Sequence, residues 1–191
     1  MRNLIGDLPD MLILLILYGF LITGVIITVK LLKLLDNKKQ NTNGKVIFLI
    51  AMLFNSLNFY IIFDLMTVSP QSSSGNGNPH IPYIFISFPL FLSFCIVLSK
   101  KIFDILLKKN GLLSLLVITI TLTIGYLSIV FQLDFISNIQ EKLYYPMNSW
   151  LHWWKDIHLN YLYFNSYTFL FGISVSGLTA GILALIKKRS L

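Results

Sequence analysis

Five long apolar runs constrain the fold of this chain more than any other feature of its sequence. The first of them reads MLILLILYGFLITGVIITV and contains no charged residue. A helix that crosses the hydrocarbon core of a bilayer needs about 20 mostly apolar residues, and lipid leaves no other partner for its backbone hydrogen bonds. The runs cover residues 11–29, 46–68, 81–98, 112–131 and 167–186.

The composition agrees with a membrane protein. Only 12% of the 191 residues are charged, and the mean hydropathy is +0.75. A soluble domain of this size is about 25% charged. The five runs and their connections use the whole chain, which leaves no segment for a soluble domain. We therefore predict an all-α, polytopic membrane helix bundle with five transmembrane helices, forming a single membrane domain over residues 1–191.

The basic residues lie on one side of these predicted spans. Short loops rich in lysine and arginine stay in the cytoplasm. The connections after the first and third spans and the C-terminal tail hold twelve of the fifteen basic residues, namely Lys30, Lys33, Lys38, Lys39, Lys45, Lys100, Lys101, Lys108, Lys109, Lys187, Lys188 and Arg189. This distribution predicts an N-terminus outside the cell and a C-terminus in the cytoplasm. The excess of lysine over arginine, with abundant isoleucine and asparagine, is typical of AT-rich bacterial genomes and favours a bacterial plasma membrane.

The net charge of +7 is explained by the membrane. The lysines flank apolar spans, where they meet anionic lipid headgroups, and each contributes about 1 kcal/mol near the surface. A nucleic-acid partner would need basic residues gathered on one folded face. We therefore expect lipid as a partner, no nucleic acid, and either a membrane-protein partner or a second copy of the chain.

The segment SWLHWWKDIHLNYLYF, residues 149–164, contains all three tryptophans. On a helical wheel its aromatic and apolar residues share an arc of roughly 100°. Tryptophan and tyrosine favour the headgroup layer of a bilayer. The pattern predicts an amphipathic helix in the outer interface, with anchors at Trp150, Trp153, Trp154 and Tyr161.

The same segment contains the candidates for reactive chemistry. His152 and Asp156 are four residues apart, so a helix would place them together as a hydrogen-bonded pair or as two metal ligands. His158 lies about 120° from His152 on the same wheel. No third ligand and no HExxH spacing accompany the pair. We therefore predict no metal, no cofactor and no enzymatic activity.

Three polar residues lie in or near the second predicted span. Asn55 and Asn58 share one helical face, and Asp64 lies roughly 27 Å along the helix, close to the outer boundary of the hydrocarbon. The asparagines suit hydrogen bonds between helices, and they also suit the lining of a polar path or a substrate contact. Both interpretations remain open at this point.

The fifth span carries small residues at helical spacing. Such residues let two helices approach closely, against another span or another copy of the chain. They form one GxxxG pair and one further row, which consist of Gly177 and Gly181, and of Gly172, Ser176 and Ala180.

Three hypotheses for function follow from these features. The first is a small non-catalytic membrane protein that acts through helix, protein or lipid contacts, as an accessory subunit or an immunity or tolerance factor. The second is a transport component with a polar path near Asn55 and Asn58. The third is an enzyme that acts on a lipid-linked substrate at the outer face through His152 and Asp156.

Overall fold

Five long helices dominate the part of the chain that the structure describes. A computed structural model describes residues 10–36, 42–72, 77–143 and 156–190. In these ranges five helices are long and apolar enough to cross a membrane, which confirms the prediction of an all-helical, multi-pass protein. They are α1 (Asp10–Asp36), α2 (Thr42–Leu65), α3 (Ile81–Leu107), α4 (Gly111–Lys142) and α6 (Ser166–Arg189), while α5 (Asn160–Tyr163) is a single turn.

The helices are longer than a bilayer requires. With 24 to 32 residues each, they extend about 36–48 Å against a hydrocarbon thickness of ~30 Å. Polar side chains define several ends. Asn110 caps α4 by accepting a hydrogen bond from the Leu113 amide, and Asn165 caps α6 by accepting from the amides of Tyr167 and Thr168. These caps satisfy amides that have no partner within the first turn of a helix.

Helix α6 lies at the centre of the arrangement, packed against both α3 and α4. Helix α1 packs on α2 and α3, whereas α4 meets the bundle mainly through α6. Phenylalanine rings connect α2, α3 and α6. The ring centroid of Phe59 in α2 lies 4.7 Å from that of Phe91 in α3 and 5.1 Å from that of Phe169 in α6. Such tilted aromatic pairs add to the dispersion that holds helices together in lipid.

The small residues of α6 lie at these two contacts. A Cβ atom on Gly177 would come within 2.4 Å of Thr121 Cγ2 in α4, and one on Gly172 within 2.6 Å of the Phe91 ring in α3. Gly181 faces Ile118 in the same way, and Ala180 is fully buried. The rows on α6 are therefore used for packing inside one chain, since the neighbouring helices occupy the space that a second copy would need.

The segment before α6 is not the continuous helix that the wheel predicts. Residues 149–155 lie outside the described residues. From Asp156 onward the chain starts in an extended conformation, forms a 3-10 turn over Ile157–Leu159, then the single turn of α5, and leaves it at Phe164. The side chains of residues 157–160 are all buried, so this part of the segment packs against protein on every side. Its polar side chains contact main-chain carbonyls of the α2–α3 loop. A helical wheel does not describe this segment, because the wheel assumes one polar face turned toward water.

Candidate functional site

The two ends of the bundle differ in chemistry. One end, which we call the basic end, joins the start of α2, the end of α3, the start of α4 and the end of α6. There the Lys101 ammonium lies 4.1 Å from the centre of the Phe48 ring, and the Lys188 ammonium donates to the main-chain carbonyl of Asn110 at 3.2 Å. The other end, which we call the loop end, contains residues 66–72, 77–80 and 156–165. At the loop end, polar side chains contact partners that are distant in the sequence.

Four polar side chains tie the loop end together, and we call them the cap cluster. They are Asn78, Asp156, His158 and Asn160, and they contact the main-chain carbonyls of Met66 and Ser72. Three of the four side chains belong to residues that are less than a tenth exposed, and Asp156 is more accessible.

His158 is the most constrained member of the cap cluster. Its Nδ1 lies 2.6 Å from the carboxylate of Asp156, and its Nε2 lies 2.8 Å from the main-chain carbonyl of Ser72. Both neighbours can only accept hydrogen bonds. The ring therefore bridges two acceptors, and the nitrogen that a general base would use is already bonded to backbone.

Asn160 links the same two connections at a second point. Its Nδ2 donates to the carbonyl of Met66 at 2.6 Å, and its Oδ1 accepts from Asn78 Nδ2 at 2.7 Å. The side-chain Oδ1 of Asn78 in turn accepts from the main-chain amide of His80 at the start of α3. A bridge between Gly77 and Asp156 adds a backbone contact, for which Gly77 adopts a φ of +94° that glycine tolerates best. The cap cluster thus connects the α2–α3 loop, α3 and the segment before α6.

The asparagines predicted in α2 are buried, and they contact different partners. Asn58 Oδ1 accepts from the Tyr83 hydroxyl of α3 at 2.8 Å, with Ser87 Oγ at 3.4 Å. Asn55 Nδ2 donates back to the carbonyl of Ala51 in its own helix. In this pair of asparagines, Asn55 Oδ1 and Asn58 Nδ2 have no hydrogen-bond partner among the described residues. An unsatisfied buried polar atom costs about 1–3 kcal/mol, so each is a position where a small polar partner would be stabilising.

Asp64 lies apart from these asparagines, half-buried near the end of α2. Its carboxylate accepts a long hydrogen bond from the Tyr60 hydroxyl one turn earlier, at 3.4 Å. Tyr161, which the sequence predicts as an interfacial anchor, is half-buried with its ring 4.7 Å from that of Phe63 in α2. The remaining predicted anchors, Trp150, Trp153 and Trp154, lie outside the described residues.

The predicted pairing of Asp156 with His152 is not tested, because His152 lies outside the described residues. Asp156 instead contacts His158, two residues later. Its carboxylate also accepts from the His158 amide at 2.9 Å, as the N-cap of the 3-10 turn. An aspartate two residues before a histidine at the start of a helical turn is a recognisable capping signal. That signal could have identified the contact from the sequence, whereas Asn78 and Asn160 gave none.

His80 lies between two prolines, after a stretch rich in serine, glycine and asparagine, and this composition is typical of a solvated loop. In the structure His80 is half-buried, and burial lowers its pKa from the ordinary value of 6.5. The loop is correspondingly less open than expected, since Pro70 and Asn78 are buried as well. In the described part of the chain no group of three histidine, cysteine, aspartate or glutamate side chains could hold a metal ion.

Comparison with known proteins adds no family to these observations. No protein-family model, no curated protein and no solved structure matches this chain.

Proposed function

We propose that this protein is a non-catalytic, multi-pass protein of a bacterial plasma membrane that acts through contacts with other proteins or with lipid. An accessory subunit and an immunity or tolerance factor are the two roles of this kind. The observation that carries the proposal is that the reactive side chains at the loop end bind other parts of the same chain. The His158 imidazole and the Asp156 carboxylate bind each other and the backbone, and so hold the chain's own segments together.

We further propose that the loop end faces the outside of the cell and the basic end the cytoplasm. The contacts of Lys101 and Lys188 support this orientation, because they bring lysines from two helices to one end of the bundle. Lysines at that end would meet anionic headgroups of the inner leaflet.

The surface that a partner would meet is the outer side of α4. Because α4 contacts the bundle mainly through α6, large apolar side chains along its length are exposed, among them Leu112, Tyr126 and Leu133. In a membrane this side contacts either lipid or another apolar helix. A membrane-protein partner or a second copy of the chain would bury it by dispersion and close packing.

Two measurements on intact cells test the proposal. The first labels single cysteines placed at Gln71 or Asn110 in a Cys95→Ala background with a reagent that does not cross the membrane. Labelling at Gln71 alone is expected, and labelling at Asn110 alone would reverse the orientation.

The second measurement places a photo-crosslinking amino acid at Tyr126, with Leu15 of α1 as an equally exposed control. Protein adducts of one discrete size at Tyr126 are expected, and lipid adducts alone at both positions would contradict a protein partner.

A transport component is the second candidate, and the unsatisfied amide atoms of Asn55 and Asn58 favour it. A polar solute or ion crossing the bundle would need such groups at membrane depth. The test measures solute flux into vesicles that contain the purified protein. Flux that is abolished by Asn55→Leu together with Asn58→Leu would favour transport over the contact function. Thr119→Val on the exposed side of α4 is the control for a change of polarity in a span.

A further inference from the structure

An apolar groove lies between α2 and the first turns of α6, in the half of the bundle nearest the loop end. Its volume is about 470 Å³, and its walls include Phe59, Tyr60 and Phe63 of α2 with Phe169 and Leu170 of α6. This volume falls within the range of roughly 300–1,000 Å³ that is typical of sites for small molecules. Tyr60 and Leu170 are exposed on the outside of the bundle, so the groove opens sideways toward the hydrocarbon.

A second cavity, of about 310 Å³, adjoins the groove at the loop end. Phe63 lines both, and the second cavity is bounded further by Gln71, Phe135, Tyr161 and Lys142. The Phe63 ring lies between the two, packed 4.7 Å from the Tyr161 ring. Among the described residues that line these cavities, Lys142 is the one that carries a charge, and it is exposed in the last turn of α4. Its neighbour Glu141 is exposed as well and does not line either cavity.

We propose that the two cavities together bind one phospholipid with an anionic headgroup. One acyl chain lies in the groove between α2 and α6, and the headgroup phosphate lies at Lys142. An amphiphile matches this arrangement because the aromatic walls lie at membrane depth while the lysine and Gln71 lie at the loop end. The proposal deepens the lipid-contact part of the proposed function and rests on the outward placement of the loop end.

The size of the groove argues for an acyl chain over a helix of another protein. A helix about 10 Å in diameter fills roughly 400 Å³ per turn of 5.4 Å, so the groove would hold little more than one turn. An acyl chain is narrow enough to enter between the Tyr60 and Leu170 side chains and can follow the groove along α6. The cation at the other end then selects among lipids by charge.

The binding can be mapped first on the unaltered protein. The full chain is placed in phosphatidylcholine nanodiscs that contain a trace of phosphatidylglycerol with a photoactivatable acyl chain. After illumination, labelled peptides are identified by mass spectrometry. Labels concentrated in residues 56–63 and 165–170 are expected. Labels spread evenly over the exposed sides of α1 and α4 would overturn the proposal, since they describe bulk lipid.

Two pairs of variants then test each end of the site. Leu170→Trp fills the groove and should reduce labelling by any lipid, whereas Leu183→Trp, on the same helix and similarly exposed, should not. Lys142→Gln should lower the preference for phosphatidylglycerol over phosphatidylethanolamine about fivefold, the effect of one lysine at a membrane surface. Lys109→Gln, at the basic end, is the control.

The outcomes separate this proposal from the orientation and partner proposals. Equal labelling of the Leu170→Trp and Leu183→Trp variants, or an unchanged preference in Lys142→Gln, would overturn the lipid site. A photo-crosslinker at Leu170 that captures a protein in intact cells would also overturn it. Each of these three results can occur while the cysteine labelling still places Gln71 outside, and then only the lipid-site proposal is lost.

Discussion

The Nε2 atom of His158 lies 2.8 Å from the main-chain carbonyl oxygen of Ser72, although the two residues are 86 positions apart in the chain. The second ring nitrogen is 2.6 Å from the Asp156 carboxylate, and the His158 side chain has no exposed surface. The ring therefore connects the α2–α3 loop to the segment before α6, and water does not reach the ring itself. A buried ring whose two nitrogens both contact acceptors is costly to replace, because these polar groups lose their partner without gaining water.

Replacing His158 should loosen the loop end. We expect His158→Phe, which keeps a ring and removes both ring nitrogens, to lower the free energy of unfolding by about 1.5–3 kcal/mol, the value of a hydrogen bond to a charged group such as the Asp156 carboxylate. Thermal unfolding in mild detergent measures this loss, and faster labelling of a cysteine at Gln71 shows that it is local. His80→Phe is the control, because no comparable pair of acceptors contacts the His80 ring among the residues that the structure describes. Equal melting temperatures of the His158→Phe variant and the unaltered protein would show that the His158 contacts do not stabilise the fold.

Asn160 should be nearly as important, because it both donates and accepts. Asn160→Leu leaves the Met66 carbonyl and the Asn78 amide without their contacts, which should cost about 2–4 kcal/mol. Asn160→Asp keeps an acceptor for Asn78 but buries a carboxylate whose second oxygen faces the Met66 carbonyl, so it should cost at least as much as the leucine variant. Asn138→Leu, on an exposed part of α4, should change the melting temperature little. Equal melting of the Asn160→Leu variant and the unaltered protein would show that these hydrogen bonds do not stabilise the loop end.

The helices could be predicted from the sequence because lipid leaves the backbone few options. A run of about 20 apolar residues must satisfy its own amides and carbonyls, and a helix is the way to do so. The ends could not be predicted as well. Helix α3 continues to Leu107 and α4 to Lys142, beyond the apolar runs that end near residues 98 and 131. Past the hydrocarbon, hydropathy no longer marks the helix, whereas caps such as Asn110 do.

The cap cluster could not be predicted because its contacts are distant in sequence and involve backbone. A serine-rich loop with glycine and proline has the composition of a solvated connector, and nothing in it marks the Ser72 carbonyl as an acceptor for a histidine. The 3.6-residue period also did not identify the contact between Asp156 and His158. It assumes a helix through residues 149–164, whereas Asp156 itself is extended.

The contact between α6 and α4 should depend on the absence of a side chain at Gly177. In Gly177→Ala the new methyl group would meet Thr121 Cγ2 at 2.4 Å, and overpacking of this kind costs about 1–3 kcal/mol. Thr121→Ser removes that methyl group and keeps the hydroxyl that bonds to Val117. The double variant should therefore recover most of the lost stability, which a double-mutant cycle on unfolding measures.

Gly19→Ala provides the matched control for the Gly177 prediction. Apart from the adjoining backbone of α1 itself, no atom of the described residues lies within 4 Å of a Cβ placed on Gly19, so this substitution should cause no loss of stability. Additive effects of Gly177→Ala and Thr121→Ser would contradict the contact, because independent sites add and touching sites do not.

Acid should weaken the loop end through His80. Burial lowers the pKa of His80 from 6.5, so the unfolded chain takes up the proton at a higher pH than the folded chain does. The contribution of His80 to stability is then complete above its unfolded pKa and decreases as the pH falls below 6.5, until the folded form is protonated too. Cysteine labelling at Gln71, followed between about pH 8 and 5, should accelerate more on acidification in the unaltered protein than in His80→Gln. The difference between these two proteins isolates the part of the acceleration that belongs to His80. Identical pH profiles for both would show that protonation of His80 does not open the loop.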